Sequence, residues 1–210
     1  MRRTTPKRPP GTAMGRRVDL KAVQAAIAVR AAAPSSDYDL NPGVNLPVGR
    51  RLRPAAVLIP VIGDAVILTK RASHLKHHPG QIALPGGKID AGDADATAAA
   101  LREAQEEIGL DPGNVAALAD LPPHETVTGY SITPILAQVK AEFEPIPEAG
   151  EVAEVFRVPL DFLMTPSSYR VEGRRWRGMR RHYYVAPFGP YYIWGATARI
   201  LKSLADRVRP

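Results

Sequence analysis

Leu84-Pro85-Gly86-Gly87, followed by Arg102-Glu103-Ala104-Gln105-Glu106-Glu107-Ile108-Gly109-Leu110, is the stretch that decides how this chain is read. Glu103, Glu106 and Glu107 put three carboxylates within five residues. At spacings i, i+3 and i+4 they share one face of a helix. Crowded carboxylates repel one another, and a divalent cation among them would relieve that repulsion. The helix itself is well marked. From Asp93 or Asp95 to Ile108 the sequence is rich in alanine and acid, with no Gly or Pro inside. Acids at its start suit the helix dipole. Gly109 ends it, with Pro112 and Gly113 just beyond.

Outward from this stretch, the chain alternates strands and helices irregularly. Val18–Ala33 has helical spacing, and 34–52 reads as a loop punctuated by Pro42-Gly43 and Pro47. Ala55–Ile62 and Ala65–Thr69 are β-branched runs separated by Gly63-Asp64, a hairpin signal. A polar loop over 73–80 leads to a short strand, Gln81–Leu84. Val115–Leu121, His124–Thr128, Ser131–Val139 and Val152–Val158 read as strands, and Pro159–Met164 as a short helix. Tyr169–Trp176 and His182–Ala186 suggest a strand pair, and Ala196–Val208 a closing amphipathic helix. This mixture predicts an α+β fold rather than a doubly wound sheet. At 210 residues it predicts a basic tail over 1–17, a helix and connecting loop over 18–49, and one main domain over 50–208.

The absence of cysteine excludes disulfides, thiol catalysis and cysteine-ligated zinc, and fits a reducing, cytoplasmic setting. No apolar run is long enough to span a membrane. The net charge of +7 points superficially to nucleic acid. Residues 1–17 carry six basic residues and no acid, so the rest of the chain is near +1. The charge therefore describes a tail, which its prolines and Gly11 mark as disordered. An Arg-rich, acid-free start also resembles a mitochondrial transit peptide, though the prolines disfavour an amphipathic helix.

Arg-Glu-x-x-Glu-Glu alone is common on solvated helices. The glycine turn upstream shifts the reading toward chemistry. Carboxylate oxygens suit Mg²⁺ or Mn²⁺, and Mg²⁺ held by few carboxylates usually serves phosphate substrates. The matching reaction is metal-assisted attack of water on phosphorus, with one Glu free to act as general base. Gly86 and Gly87 let the main chain approach a ligand or metal closely. Arg102 can pair with a Glu and orient it.

The sequence here resembles the Nudix hydrolases, whose box reads Gly-x5-Glu-x7-Arg-Glu-U-x-Glu-Glu-x-Gly-U, with U bulky and aliphatic. Gly87 takes the first glycine, and Arg102 through Leu110 fit the end. Two features depart from it: Asp93 replaces the first Glu, and eight residues rather than seven separate it from Arg102. Ala104 is also small for its position. The longer spacing is similar to the coenzyme A pyrophosphatase branch. Ile67-Leu68-Thr69-Lys70-Arg71-Ala72, Lys76, Gly80, Ile82, Leu84-Pro85-Gly86-Gly87 and Asp90 keep that branch's upstream spacing. The resemblance implies an α/β/α sandwich with a mixed sheet. It implies Mg²⁺- or Mn²⁺-dependent cleavage of coenzyme A or acyl-coenzyme A to adenosine 3′,5′-bisphosphate and (acyl-)4′-phosphopantetheine. Glu103 and Glu107 would be the main metal ligands, Glu106 a shared ligand or the base, and the Gly87 carbonyl a further ligand. Arg71 and Lys76 would contact substrate phosphates. Relatives are often dimers, and oligomeric state stays open.

Other candidates have plainer readings. Glu151 reads as a solvated loop acid beside Glu148 and Glu154, although some relatives take a base from such a loop. His74, His77 and His78 lack a fourth ligand for zinc and fit a polar loop. The six arginines between Arg170 and Arg181 resemble an RNA-contact patch, or equally a strand pair with solvated side chains. Tyr191-Tyr192-Ile193-Trp194 reads as core rather than as a base-stacking platform. Two rivals remain: a Nudix enzyme for another nucleoside diphosphate compound such as ADP-ribose, and a Nudix-fold binding module for RNA or nucleotides. The intact Glu set argues against the second.

Overall fold

The computed structural model describes residues 17–44, 46, 49–176 and 178–209, and the side chain of every one of these but Trp176. Residues 1–16 of the expected tail over 1–17 lie outside them, as do Pro47 and Arg177. The elements, in order, are α1 (Leu20–Val29), β1 (Ser35–Ser36), β2 (Arg53–Ile62), β3 (Ala65–Arg71), β4 (Ile82–Ala83), β5 (Gly86–Lys88) and α2 (Ala96–Ile108). Then follow β6 (Val115–Asp120), β7 (His124–Glu125), β8 (Tyr130–Val139), β9 (Val152–Pro159) and α3 (Leu160–Leu163). The last are β10 (Arg170–Trp176), β11 (Met179–Phe188), β12 (Tyr191–Trp194) and α4 (Gly195–Val208).

Strands β1–β9 form a mixed sheet centred on β2. Its residues alternate between two cores, as a strand buried on both faces requires. Ala56 and Leu58 point to the core under α2, with Ala100, Ala104 and Ile108. Ile59 and Val61 point to the opposite core, with Leu201 and Leu204 of α4 and Val23 of α1. Helices thus cover both faces, giving the expected α/β/α sandwich. Ala99, Ala100 and Ala104 are fully buried. Their small side chains let α2 lie close on the sheet, which explains the small residue at 104.

β2 runs parallel to β8, from Arg53 opposite Tyr130 to Val61 opposite Gln138. Its other edge is shared. Val61 and Ile62 pair with β3 through the Gly63-Asp64 turn, as the hairpin signal predicts. Ala55–Val57 pair with Gly86–Lys88 instead. The glycine turn is thus itself a strand of the main sheet. β10, β11 and β12 form a separate antiparallel sheet.

Two expectations need correction. The first helix is shorter than Val18–Ala33: the Asp19 side chain caps it by accepting from the Ala22 amide at 2.8 Å. At its other end Arg30 leaves helical geometry, and Arg207 donates to the carbonyls of Ile27 and Arg30. Docking on α4 outweighs local propensity there. Tyr191–Trp194 is a strand, and of its four residues only Ile193 is core.

Candidate active site

α2 places the carboxylates, and local chemistry fixes it at both ends. Asp95 accepts from the Ala98 amide at 2.7 Å. Gly109 takes the left-handed conformation (φ 68°) that closes a helix, which a residue with a Cβ resists. Between these ends, Glu103 and Glu107 turn toward the glycine turn.

Contact there is close. A Cβ at Gly87 would sit 2.3 Å from Glu103 Oε1, and a Cβ at Gly86 would sit 2.3 Å from the Ala56 carbonyl oxygen. Gly86 also has φ 151°, a conformation that favours glycine. Its amide donates to Glu107 Oε2 at 3.3 Å. Glu107 is 6% exposed, and burial foremost pushes its carboxyl up to about 8, against the help of that hydrogen bond. Neighbouring Glu103 and Glu151 push it further, and Arg71 opposes them. Glu103 is also raised, first by burial, with Arg102 opposing and Glu106 and Glu151 adding repulsion.

Arg102 binds Asp93 through both arms of its fork, Nε and Nη2 each at 2.9 Å. Its Nη1 reaches Glu103 at 3.1 Å and Glu106 at 3.2 Å, and Nη2 reaches the Lys88 carbonyl at 3.1 Å. Asp93 is therefore held below the usual carboxylate range, chiefly by its hydrogen bonds to Arg102. It serves as an anchor for Arg102 within the loop between β5 and α2.

The sequence-predicted residues do not all converge. Glu103, Glu107, Gly86 and Gly87 come together, with Arg71 near enough to act on Glu107. Glu106 lies outward, with 60% of its side chain exposed, on Arg102. Lys76 is exposed on the loop after β3 and makes no contact with the carboxylates among the described residues. His74, His77 and His78 lie exposed on the same loop. Among the described residues no three carboxylates or imidazoles are gathered tightly enough to hold a metal by themselves. Glu151 is the residue the sequence reading undervalued. Its backbone carbonyl accepts from the Ala72 amide at 2.8 Å, which brings the loop before β9 to the carboxylates. No sequence signal announces this, because it depends on β9 pairing with β3.

The donor set nonetheless fits a hard divalent cation. Two inward carboxylates, one buried at an energetic cost without a full counter-charge, leave the rest of the coordination shell to water and phosphate oxygens. That is the usual binding mode of Mg²⁺.

On the other face of the sheet lies a cavity of about 830 Å³, a size typical of ligand sites. Lys70 and residues 78–82 form part of one wall, and β10–β12 form the other. Tyr191, Tyr192 and Trp194 line it, which corrects the core reading of that cluster.

A three-layer sandwich with carboxylates on a helix beneath a glycine turn suits a metal-assisted hydrolase. The NUDIX domain model matches residues 51–177. The uncharacterized Nudix hydrolase NudL of Enterobacter sp. (strain 638) is 40% identical over 159 residues, covering 74% of this chain and 83% of the relative. Its namesake from Citrobacter koseri is 39% identical over 172 residues, covering 80% and 89%. The crystal structure of MutT protein from Methanosarcina mazei Go1 aligns at a TM-score of 0.47 and 18% identity, covering 77% of this chain and 97% of that one. The chain belongs to the Nudix family. It is accordingly a pyrophosphatase acting on nucleoside diphosphate derivatives, and Nudix hydrolases generally use divalent metal ions such as Mg²⁺ or Mn²⁺.

Proposed function

We propose that this protein hydrolyses the pyrophosphate of coenzyme A or its acyl thioesters, releasing adenosine 3′,5′-bisphosphate and (acyl-)4′-phosphopantetheine. One observation carries the choice of substrate. The Ile67–Asp90 pattern of the coenzyme A branch includes Arg71 at the end of β3 and Gly86-Gly87 in the glycine turn, and these stand beside Glu107 and Glu103.

In this reading Glu103, Glu107 and the Gly87 carbonyl hold Mg²⁺ or Mn²⁺. When bound, the ion neutralises phosphate charge and acidifies the attacking water. Arg71 offsets the negative charge of the substrate beside Glu107. A water oxygen bonds to one phosphorus, the bridging P–O bond breaks, and the other phosphate leaves as an anion. Glu106, positioned by Arg102 and open to solvent, accepts the water's proton. Lys76, exposed on the loop after β3, would contact a substrate phosphate that reaches that loop. We place the activity in the cytoplasm, consistent with the cysteine-free sequence.

The test is a product assay. The protein is incubated with coenzyme A, ADP-ribose and NADH, each with Mg²⁺ or Mn²⁺, and products are identified by mass. Adenosine 3′,5′-bisphosphate is the expected product. Far faster turnover of ADP-ribose than of coenzyme A would overturn the assignment.

A further inference from the structure

The cavity behind the sheet has an unusual charge arrangement. In the β10–β11 register Arg174 stands directly opposite Arg181, and Glu172 opposite Tyr183. Side chains opposite one another lie on the same face of a sheet, so both guanidinium groups stand on one face. Both arginines line the cavity, as does Lys70 from across it. The acids nearby are engaged. Glu172 accepts from Arg170 and from the Tyr192 hydroxyl, and Glu154 accepts from the Tyr191 hydroxyl. Asp37 accepts from the Val127 amide and contacts His124.

Aromatic rings share that wall. Tyr183 meets Trp194 edge-on, with ring centroids 5.2 Å apart, and Arg174 lies 5.9 Å from the Trp194 ring centre. Tyr192 is 41% exposed, although a ring of that size is ordinarily covered. Facing guanidinium groups beside rings are suited to a phosphate attached to a flat heterocycle.

The cavity also adjoins the candidate active site. A register irregularity between Lys70 and Arg71 re-aims the end of β3. Lys70 lines the cavity, while Arg71 acts on Glu107. The Arg71 amide donates to the carbonyl of Gln81, a cavity residue, at 2.9 Å. The neighbours Lys70 and Arg71 thus stand one at the cavity and one beside the carboxylates.

We infer that this cavity binds the 3′-phosphorylated adenosine half of the substrate, with Arg174 and Arg181 on the 3′-phosphate and Tyr183, Tyr192 and Trp194 against the base. The inference rests on the coenzyme A reading above. It makes these residues determinants of specificity, separate from the carboxylates.

The experiment compares coenzyme A with dephospho-coenzyme A, which lacks only the 3′-phosphate. In Arg174→Ala and Arg181→Ala the ratio of kcat/KM for the two substrates should fall about tenfold or more, as expected for loss of a charged hydrogen bond. Arg174→Lys should restore part of it. An unchanged ratio overturns the inference while leaving the coenzyme A reading intact. Calorimetric titration of the wild-type protein with adenosine 3′,5′-bisphosphate and with AMP needs no variant and no turnover. Binding of the bisphosphate about tenfold or more tighter supports the site, and equal affinities overturn it. Competition by 4′-phosphopantetheine, with no binding of the bisphosphate, would assign the cavity to the other half of the substrate and also overturn it. If coenzyme A is not cleaved at all, the catalytic reading fails and this titration alone decides the cavity.

Discussion

Glu107 is the residue with most at stake. Buried beside Glu103, its carboxyl titrates at about 8 rather than the ordinary 4.5. The folded protein therefore holds a proton that the unfolded chain has released above about pH 4.5. With no metal bound, the contribution of this group to stability is greatest below that value and is lost as pH rises toward 8, on the order of a few kcal/mol. Glu107→Gln should abolish this slope and raise the melting temperature at pH 8 in EDTA, as read by calorimetry. The same substitution, and Glu103→Gln, should lower kcat by about two orders of magnitude or more in the product assay. The two glycines should separate in the opposite way. Gly87→Ala meets a carboxylate that can swing aside, so it should fold and lose activity as Glu103 is displaced. Gly86→Ala meets the backbone of Ala56 and Val57 at a positive φ, so it should lose about 3 kcal/mol or more in urea unfolding. The sequence identified Glu103, Glu107 and both glycines, because spacing along one helix is local. It favoured the solvated-loop reading of Glu151 and did not give the outward turn of Glu106 onto Arg102, because those depend on strand pairing and on one guanidinium choosing among several acids.

Legibility follows locality among the elements as well. α2 was readable from Asp95 and Gly109, and β2–β3 from Gly63-Asp64, because capping and turn chemistry act over a few residues. β5 was not readable: Gly86-Gly87 has no strand propensity, and only pairing with Ala55–Val57 makes it a strand. β12 was misread because an aromatic run gives no clue that its alternate residues face a cavity. The Asp95 cap carries the prediction at this scale. Asp95→Ala should cost about 1 kcal/mol, lowering the urea midpoint without changing the slope of the transition. Because Asp95 makes no contact with the carboxylates, kcat should move little once the protein is folded.

At the scale of the molecule, one core joins α1, the main sheet, β11, β12, α3 and α4. The fold class followed from the mixture of elements, and the strand pair expected over 169–186 is β10–β11, but the parallel β2–β8 pairing and the addition of β12 to that pair did not follow, since long-range register leaves no local mark. A shared core predicts one cooperative transition, with Trp fluorescence and far-UV circular dichroism coinciding. Leu201, fully buried on α4, tests this: Leu201→Ala should cost about 2–5 kcal/mol and shift both signals together. The strand pairing of the glycine turn has a further consequence. Since Gly86–Lys88 are woven into the sheet, that turn cannot open like a lid without tearing out a strand. On the proposed reading, adaptation to differently shaped ligands falls instead to the 72–80 loop and to the β10–β12 sheet. Substitutions in those two segments can retune what is recognised while the cleaving apparatus stays as it is, leaving a lineage of such chains free to diversify its diet on an unchanged blade.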